Sequence, residues 1–158
     1  NETGSDLTVD GTTLTVTNPL CAGIWVDHDI DFIDSVVTVN KTTQNYDGIV
    51  SNTGGTVTVD GGTLNVSNYH SAIHFGNTDD SQHAFVLEDG TVNLTSTDGY
   101  GITVEPYVAS SEAEPEYRAT FDINGGTLTG SVADALGIVS VVNTASVSAT
   151  GEDVYTTD

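Results

Sequence analysis

The sequence predicts an all-β fold: a β-solenoid (single-stranded parallel β-helix) of about five three-strand coils plus a partial sixth, in one domain spanning residues 1–158. Three observations predict it. A short pattern recurs, in which an alternating apolar run ends in a turn residue or glycine and a second apolar run follows. Some residues later comes a small residue and then isoleucine. Clean copies start at Val9, Val59, Leu87 and Ile123, and a looser one starts at Ile30. Strand-built repeats of this length stack, because no single repeat can bury its own apolar face.

The small residue–isoleucine pairs set the frame. They are Gly23-Ile24, Gly48-Ile49, Ala72-Ile73, Gly101-Ile102 and Gly137-Ile138, spaced by 25, 24, 29 and 36 residues. The first strand of each repeat is expected at Leu7–Val9, Ile30–Phe32, Val57–Val59, Phe85–Leu87 and Phe121–Ile123. The second is expected at Leu14–Val16, Val37–Val39, Leu64–Val66, Val92–Leu94 and Leu128–Gly130. The third begins at each isoleucine of the pair. Within a strand, apolar residues alternate with Thr, Asn, Asp or Ser, and a period of two places one set on the inner face. Asp-Gly, Gly-Gly and Asn-Gly steps supply positive φ at the corner between the first two strands. Neighbouring coils then pair in parallel at about 4.8 Å, so five stand about 24 Å tall.

Two of the spacings are long because of insertions, residues 76–83 (GNTDDSQH) and 105–118 (EPYVASSEAEPEYR). Both leave between a third strand and the next first strand, so both emerge at one corner. Two of the three prolines lie in the second, together with Tyr107, Glu112, Glu114, Glu116 and Tyr117, the candidate binding residues. After Ile138, SVSATG and DVYTTD are expected to form the first and second strands of the unfinished sixth coil. Neither end shows an amphipathic helix or a Pro-rich plug. The chain is therefore read as an excerpt of a longer one, or as one whose ends other copies cover.

Composition excludes several functions. The net charge is −21, with Lys41 and Arg118 as the only basic side chains apart from four histidines. Phosphate backbones need Lys and Arg, so no nucleic acid is expected as a partner. Anionic membranes and polyanionic sugars are disfavoured on the same ground, and the acidic field gathers cations instead. No run reaches membrane-spanning length, and no signal peptide is visible, which reads as a mature chain or a fragment. Cys21 stands alone and is expected to be a small buried apolar residue.

The runs GGTVTVDGG (Gly54–Gly62), GGTLNVSN (Gly61–Asn68) and NGGTLT (Asn124–Thr129) resemble the repeats of right-handed parallel β-helix proteins, notably bacterial adhesin and autotransporter passengers. The likeness covers about Leu7 to Val141. It implies right-handed coils and an extracellular or cell-surface location, and it is specific for architecture rather than function, since such repeats serve adhesion, display and polysaccharide chemistry alike. The calcium-binding nonapeptide pattern GGxGxD is absent.

Candidate chemistry is sparse. Asp10, Asp34, Asp60 and Asp89 occupy similar positions at successive corners, with Asn124 in the fifth. Stacking would bring their charges about 5 Å apart, a repulsion that bridging divalent cations relieve, so calcium is the expected cofactor if there is one. Asp27, Asp29 and Asp31 surround His28 and share one parity, a second oxygen-ligand cluster suited to calcium. His70 and His74 are four apart, which on an extended strand is about 13 Å and too far for one metal unless the chain turns at Ser71. Asp79-Asp80 is not the separated carboxylate pair of a glycosidase, and nothing brings Lys41 and Arg118 together as a lyase base would require. Outward threonines such as Thr15, Thr17, Thr127 and Thr129 form an array, but Asn65, Ser67 and Asn93 interrupt it, and Thr is a favoured strand residue. Sequons at Asn1, Asn40, Asn65 and Asn93 permit glycosylation in an exported protein and also arise readily in Asn/Thr-rich strands.

The expectation is thus a non-enzymatic extracellular structural or adhesive subunit that assembles end to end with copies of itself into a filament or surface fibre. The alternatives are a passenger segment of a large adhesin that binds carbohydrate or host protein through the 105–118 side, and a polysaccharide-active enzyme.

Overall fold

A computed structural model describes residues 4–17, 19–40, 46–76, 82–96, 101–104, 106–107, 116–117, 119–129, 139–141 and 146–148. Among these residues strands alone carry the regular structure. The first repeat supplies β1 (Leu7–Asp10), β2 (Thr13–Thr17) and β3 (Ile24–Val26). The second supplies β4 (Ile30–Asn40) and β5 (Ile49–Ser51), and the third β6 (Gly55–Tyr69) and β7 (Ile73–Phe75). β8 (His83–Ser96), β9 (Ile102–Val104), β10 (Pro106–Tyr107) and β11 (Glu116–Tyr117) follow. The chain continues with β12 (Ala119–Ile123), β13 (Thr127–Thr129), β14 (Val139–Val141) and β15 (Ser146–Ser148).

Each repeat's strands pair in parallel with their counterparts one repeat away. Leu7 faces Ile30, Ile30 faces Val57, Val57 faces Phe85 and Phe85 faces Phe121. Leu14, Val37, Leu64, Val92 and Leu128 form a second such column. Ile24, Ile49, Ile73 and Ile102 form a third, in the four-stranded sheet β3-β5-β7-β9. The alternation in the sequence therefore does what its period dictates: apolar side chains of both parallel sheets converge on one core, and Ile30, Ile49, Ile73, Phe85 and Ile102 are fully buried. Ser51 interrupts the inward set beside Val26 and is satisfied by donating from Oγ to the His28 carbonyl at 3.0 Å.

The corner between the first two strands of a repeat is a bend, not a break. β4, β6 and β8 run through it, so first and second strands share one nine-stranded sheet. The bend needs left-handed backbone, and Gly11, Gly61, Gly62, Gly90 and Gly126 supply it, as the Gly-containing turn steps predict. In the second repeat Asp34 takes that conformation, at φ 45°. Ser35 secures this corner from inside, its one hydroxyl proton shared between the carbonyls of Ile33 at 2.7 Å and Val9 at 3.0 Å while Oγ accepts from Thr12 N–H.

Three expectations are corrected. Val139–Val141 follows Gly137-Ile138 but pairs with β12 rather than continuing the row of β9, so it takes a first-strand place and Ser146–Ser148 a second-strand place. The strands after residue 138 thus extend the nine-stranded sheet one strand earlier than SVSATG, and DVYTTD lies outside the described residues. A Gly-Ile step does not by itself specify which sheet follows. Cys21 is exposed, with Leu20, because β2 ends at Thr17 and leaves both residues in the connection, outside the inward set.

The 105–118 insertion contains an antiparallel ribbon, with Pro106 opposite Tyr117 and Tyr107 opposite Glu116. Glu112 and Glu114 lie outside the described residues, as do Lys41, Arg118 and Asp79-Asp80. The ends of the 76–83 insertion are drawn together by His83, whose Nε2 bonds the Gly76 carbonyl while its ring packs on Phe75 at 5.0 Å between centroids.

Candidate functional site

The residues with the most developed side-chain chemistry lie where the second and third repeats meet, at the entry to the four-stranded sheet. The chain reaches β5 through Tyr46-Asp47-Gly48, and it reaches β7 through His70-Ser71-Ala72. Parallel stacking sets one connection on the other. Gly48 N–H donates to the Ser71 carbonyl at 2.8 Å, Ile49 N–H to Ala72 at 2.9 Å, and His70 N–H to Tyr46 at 3.1 Å. Asp47 is thereby fixed beside a turn that carries His70 and leads into His74 on β7. Its Oδ2 lies 2.6 Å from His74 Nδ1, and its Oδ1 accepts Ser71 N–H at 3.0 Å and lies 3.6 Å from His70 Nδ1. Ser71 is fully buried and shares a 2.8 Å hydrogen bond with Thr103 on β9.

Burial raises the pKa of the Asp47 carboxyl, but the His74 hydrogen bond and charge, the Ser71 N–H and the His70 charge outweigh it and hold it below the usual carboxylate value. A carboxyl depressed in the folded state contributes stability above its unfolded pKa, near 3.9, and loses it as pH falls through the folded value. Asp47→Asn is therefore expected to cost about 1–2 kcal/mol near neutral pH. The deficit should shrink as pH falls from about 4, where the unfolded carboxyl takes up its proton, through the lower folded value. Urea unfolding of both proteins at pH 7 and pH 3 measures this.

The spacing of His70 and His74 gives about 13 Å only on a continuous strand. The chain turns at residues 70–72, which brings both imidazoles to one carboxylate. No motif in the sequence marks Asp47 itself. The available signal is its place directly before a Gly-Ile pair: aligning those pairs sets it level with Ser71, between the two histidines.

The acidic corner column is not formed as the spacing predicts. Asp10 faces Ile33, Ile33 faces Asp60, and only Asp60 and Asp89 are direct neighbours. Asp34 is displaced into the bend, where its Oδ1 lies over Gly61. Asn124 falls level with Glu88 and donates to it from Nδ2 at 3.0 Å. The physical reasons lie at the bend: β4 carries Ile33 where β1 and β6 carry aspartate, and β8 carries the extra residue Glu88 before Asp89, a shift confined to the corner.

Asp27, Asp29 and Asp31 are likewise not on one strand. Asp27 and Asp29 lie in the turn between β3 and β4, and only Asp31 is in β4. Asp29 Oδ1 accepts Thr56 N–H at 2.7 Å, the Asp27 carbonyl accepts from Thr53 Oγ1 at 2.8 Å, and His28 Nδ1 is 4.0 Å from Asp6. These groups stitch one turn to the neighbouring repeats. Among the described residues no three His, Cys, Asp or Glu side chains are placed to hold a metal ion.

The outer face of the four-stranded sheet completes the picture. Parity places Trp25, Val50, His74 and Thr103 side by side across β3, β5, β7 and β9. Trp25 is 60% exposed, while Val50 beside it is buried. Among the described residues, three of the four exposed large apolar side chains, Leu20, Trp25 and Tyr46, lie on this sheet or on the connections that enter it. Comparison with known protein families, curated proteins and solved structures finds no match.

Proposed function

We propose that the chain is a β-solenoid of about five coils and a partial sixth, and that it serves as a non-enzymatic structural or adhesive subunit outside the cell or at its surface. It assembles end to end with copies of itself. The observation that carries this reading is the contrast between the first two rows. Inward residues of the second row, Ile30, Val37 and Val39, are fully buried. Their first-row partners Leu7, Leu14 and Val16 pack on the core but are only half-buried. Among the described residues β1 and β2 pair only with β4, and β3 only with β5, so one side of that row carries open backbone and uncovered apolar surface. At the other end of the described rows, β14 and β15 hold places in the same two columns. Contact of one end with the other is heterologous and propagates.

Electron microscopy of the purified protein is expected to show uniform fibres with an axial repeat of at least about 24 Å, five rows at about 4.8 Å. Leu14→Lys is expected to abolish them. Particles of single-chain size at every concentration would sink this reading. A second reading, a carbohydrate- or protein-binding passenger segment, is favoured by the β10–β11 ribbon that leaves the stack between β9 and β12. Monomers that bind a glycan array and lose binding when residues 106–117 are removed would support it.

A further inference from the structure

Charge is unevenly placed on the nine-stranded sheet, and the unevenness bears on assembly. On its first-strand half Asp31 and Asp122 project from one column, and Asp10, Asp60 and Asp89 from the next, with Glu88 exposed beside them. On its second-strand half the outward residues carry no charge, from Thr13, Thr15 and Thr17 in the first row to Thr127 and Thr129 in the fifth. The carboxylates of this sheet therefore form one stripe along the stack. Asp6, its side chain 64% exposed, adds another at the entry to the first row. Among the described residues no lysine or arginine offsets them.

Lengths decide how much this matters. The longest column, β1-β4-β6-β8-β12-β14, holds six strands, so each copy adds about 29 Å to a stack. A net charge of −21 over that length is about one charge per 1.4 Å of axis. Duplex DNA carries about one per 1.7 Å and condenses a cation atmosphere around itself. A stack of these copies is at least as dense, so it takes up cations as it grows. In about 0.01 M salt the screening length is about 30 Å, and carboxylates along the whole height of one copy repel the next. In about 0.15 M salt it is about 8 Å, less than two row spacings. Only carboxylates of the first rows, such as Asp6, Asp10 and Asp31, then act across the joint. The apolar attraction of half-buried Leu7, Leu14 and Val16 acts only at contact. The longer-ranged repulsion therefore decides whether two copies meet.

We propose that cations gate the end-to-end assembly of this chain: the acidic stripe holds copies apart at low ionic strength, and screening of it lets the first-row edge close on a second copy. This regulation rests on the end-to-end reading above. The stripe's carboxylates are spaced along the stack and not gathered into a cluster that holds a metal ion, so the screen is diffuse and asks for no particular cation.

The critical concentration for fibre formation tests this, measured by sedimentation near neutral pH in about 10 mM and about 500 mM NaCl, and in MgCl2 and CaCl2 at matched ionic strength. It is expected to fall about tenfold or more from the lower to the higher salt, with magnesium and calcium acting alike. The triple variant Asp10→Asn, Asp31→Asn, Asp60→Asn removes three charges from the rows next to the open edge. It is expected to assemble in low salt at a concentration about threefold or more below wild type, and to respond less to salt. Circular dichroism checks that it keeps its melting temperature. Equal critical concentrations in low and high salt overturn the gating and leave the end-to-end reading standing. So does assembly in calcium alone, which marks a bound ion. A salt response of the variant equal to that of wild type also overturns it, since that marks salting-out of the apolar edge. Single-chain particles in every salt overturn the end-to-end reading and the gating with it.

Discussion

Replacing Phe85 with alanine is expected to destabilise the fold by about 3–5 kcal/mol, the range for deleting a buried aromatic ring. Phe85 is fully buried in the middle of its column, between Val57 and Phe121, with the Phe121 ring 6.5 Å away. A cavity there has rows on both sides that cannot close it, because backbone pairing fixes their spacing at about 4.8 Å. The position in the row order matters as much as the burial. Leu7→Ala is expected to cost less than half as much, since Leu7 is already half-exposed in its column. Urea unfolding of both variants at one pH tests the ranking.

The second large effect concerns a residue with no side chain. Gly62→Ala is expected to cost more than about 2 kcal/mol, because a Cβ is disfavoured at left-handed φ and here it meets backbone as well. Gly62 sits at φ 70°, and an added methyl would overlap the carbonyl oxygen and the amide nitrogen of Ser35 in the neighbouring row. Ser35 cannot retreat, since its hydroxyl is tied to Val9 and Ile33. Gly11 is the comparison. It has a similar φ of 57°, but a methyl added there would meet nothing within 4 Å, so Gly11→Ala is expected to cost only about 1 kcal/mol, the conformational part alone. Equal losses for the two substitutions in urea unfolding would mean that the close approach between rows contributes nothing.

Much of this fold is legible in the residues. Apolar alternation places Val57, Val59, Leu64 and Val66 inward, and all four are buried. The small residue–isoleucine pairs mark the start of β3, β5, β7 and β9. These signals are local and repeated, so each copy corroborates the others. The acidic column and the histidine pair are not legible, for one shared reason. Both depend on how rows align at corners, where a single extra residue such as Glu88 shifts the partners within the bend before the register is regained at Thr63 and Thr91. Periodicity says which face a residue takes; it does not say which neighbour it meets across a bulge. Asp47 is the clearest case. Nothing in its own surroundings marks it, and its chemistry comes from residues 24 and 27 places later.

The isoleucine column has a consequence for how such a chain can change. Ile24, Ile49, Ile73 and Ile102 face like residues along the row. Excising one full period, such as the 24 residues from Gly48 to Ser71, would set Ile73 on Ile24 and leave the same kind of contact behind. Removing one residue inside a strand would instead turn its inward set outward. The molecule is therefore editable in whole paragraphs and fragile to a single misplaced letter, and its length can vary freely while its cross-section stays fixed.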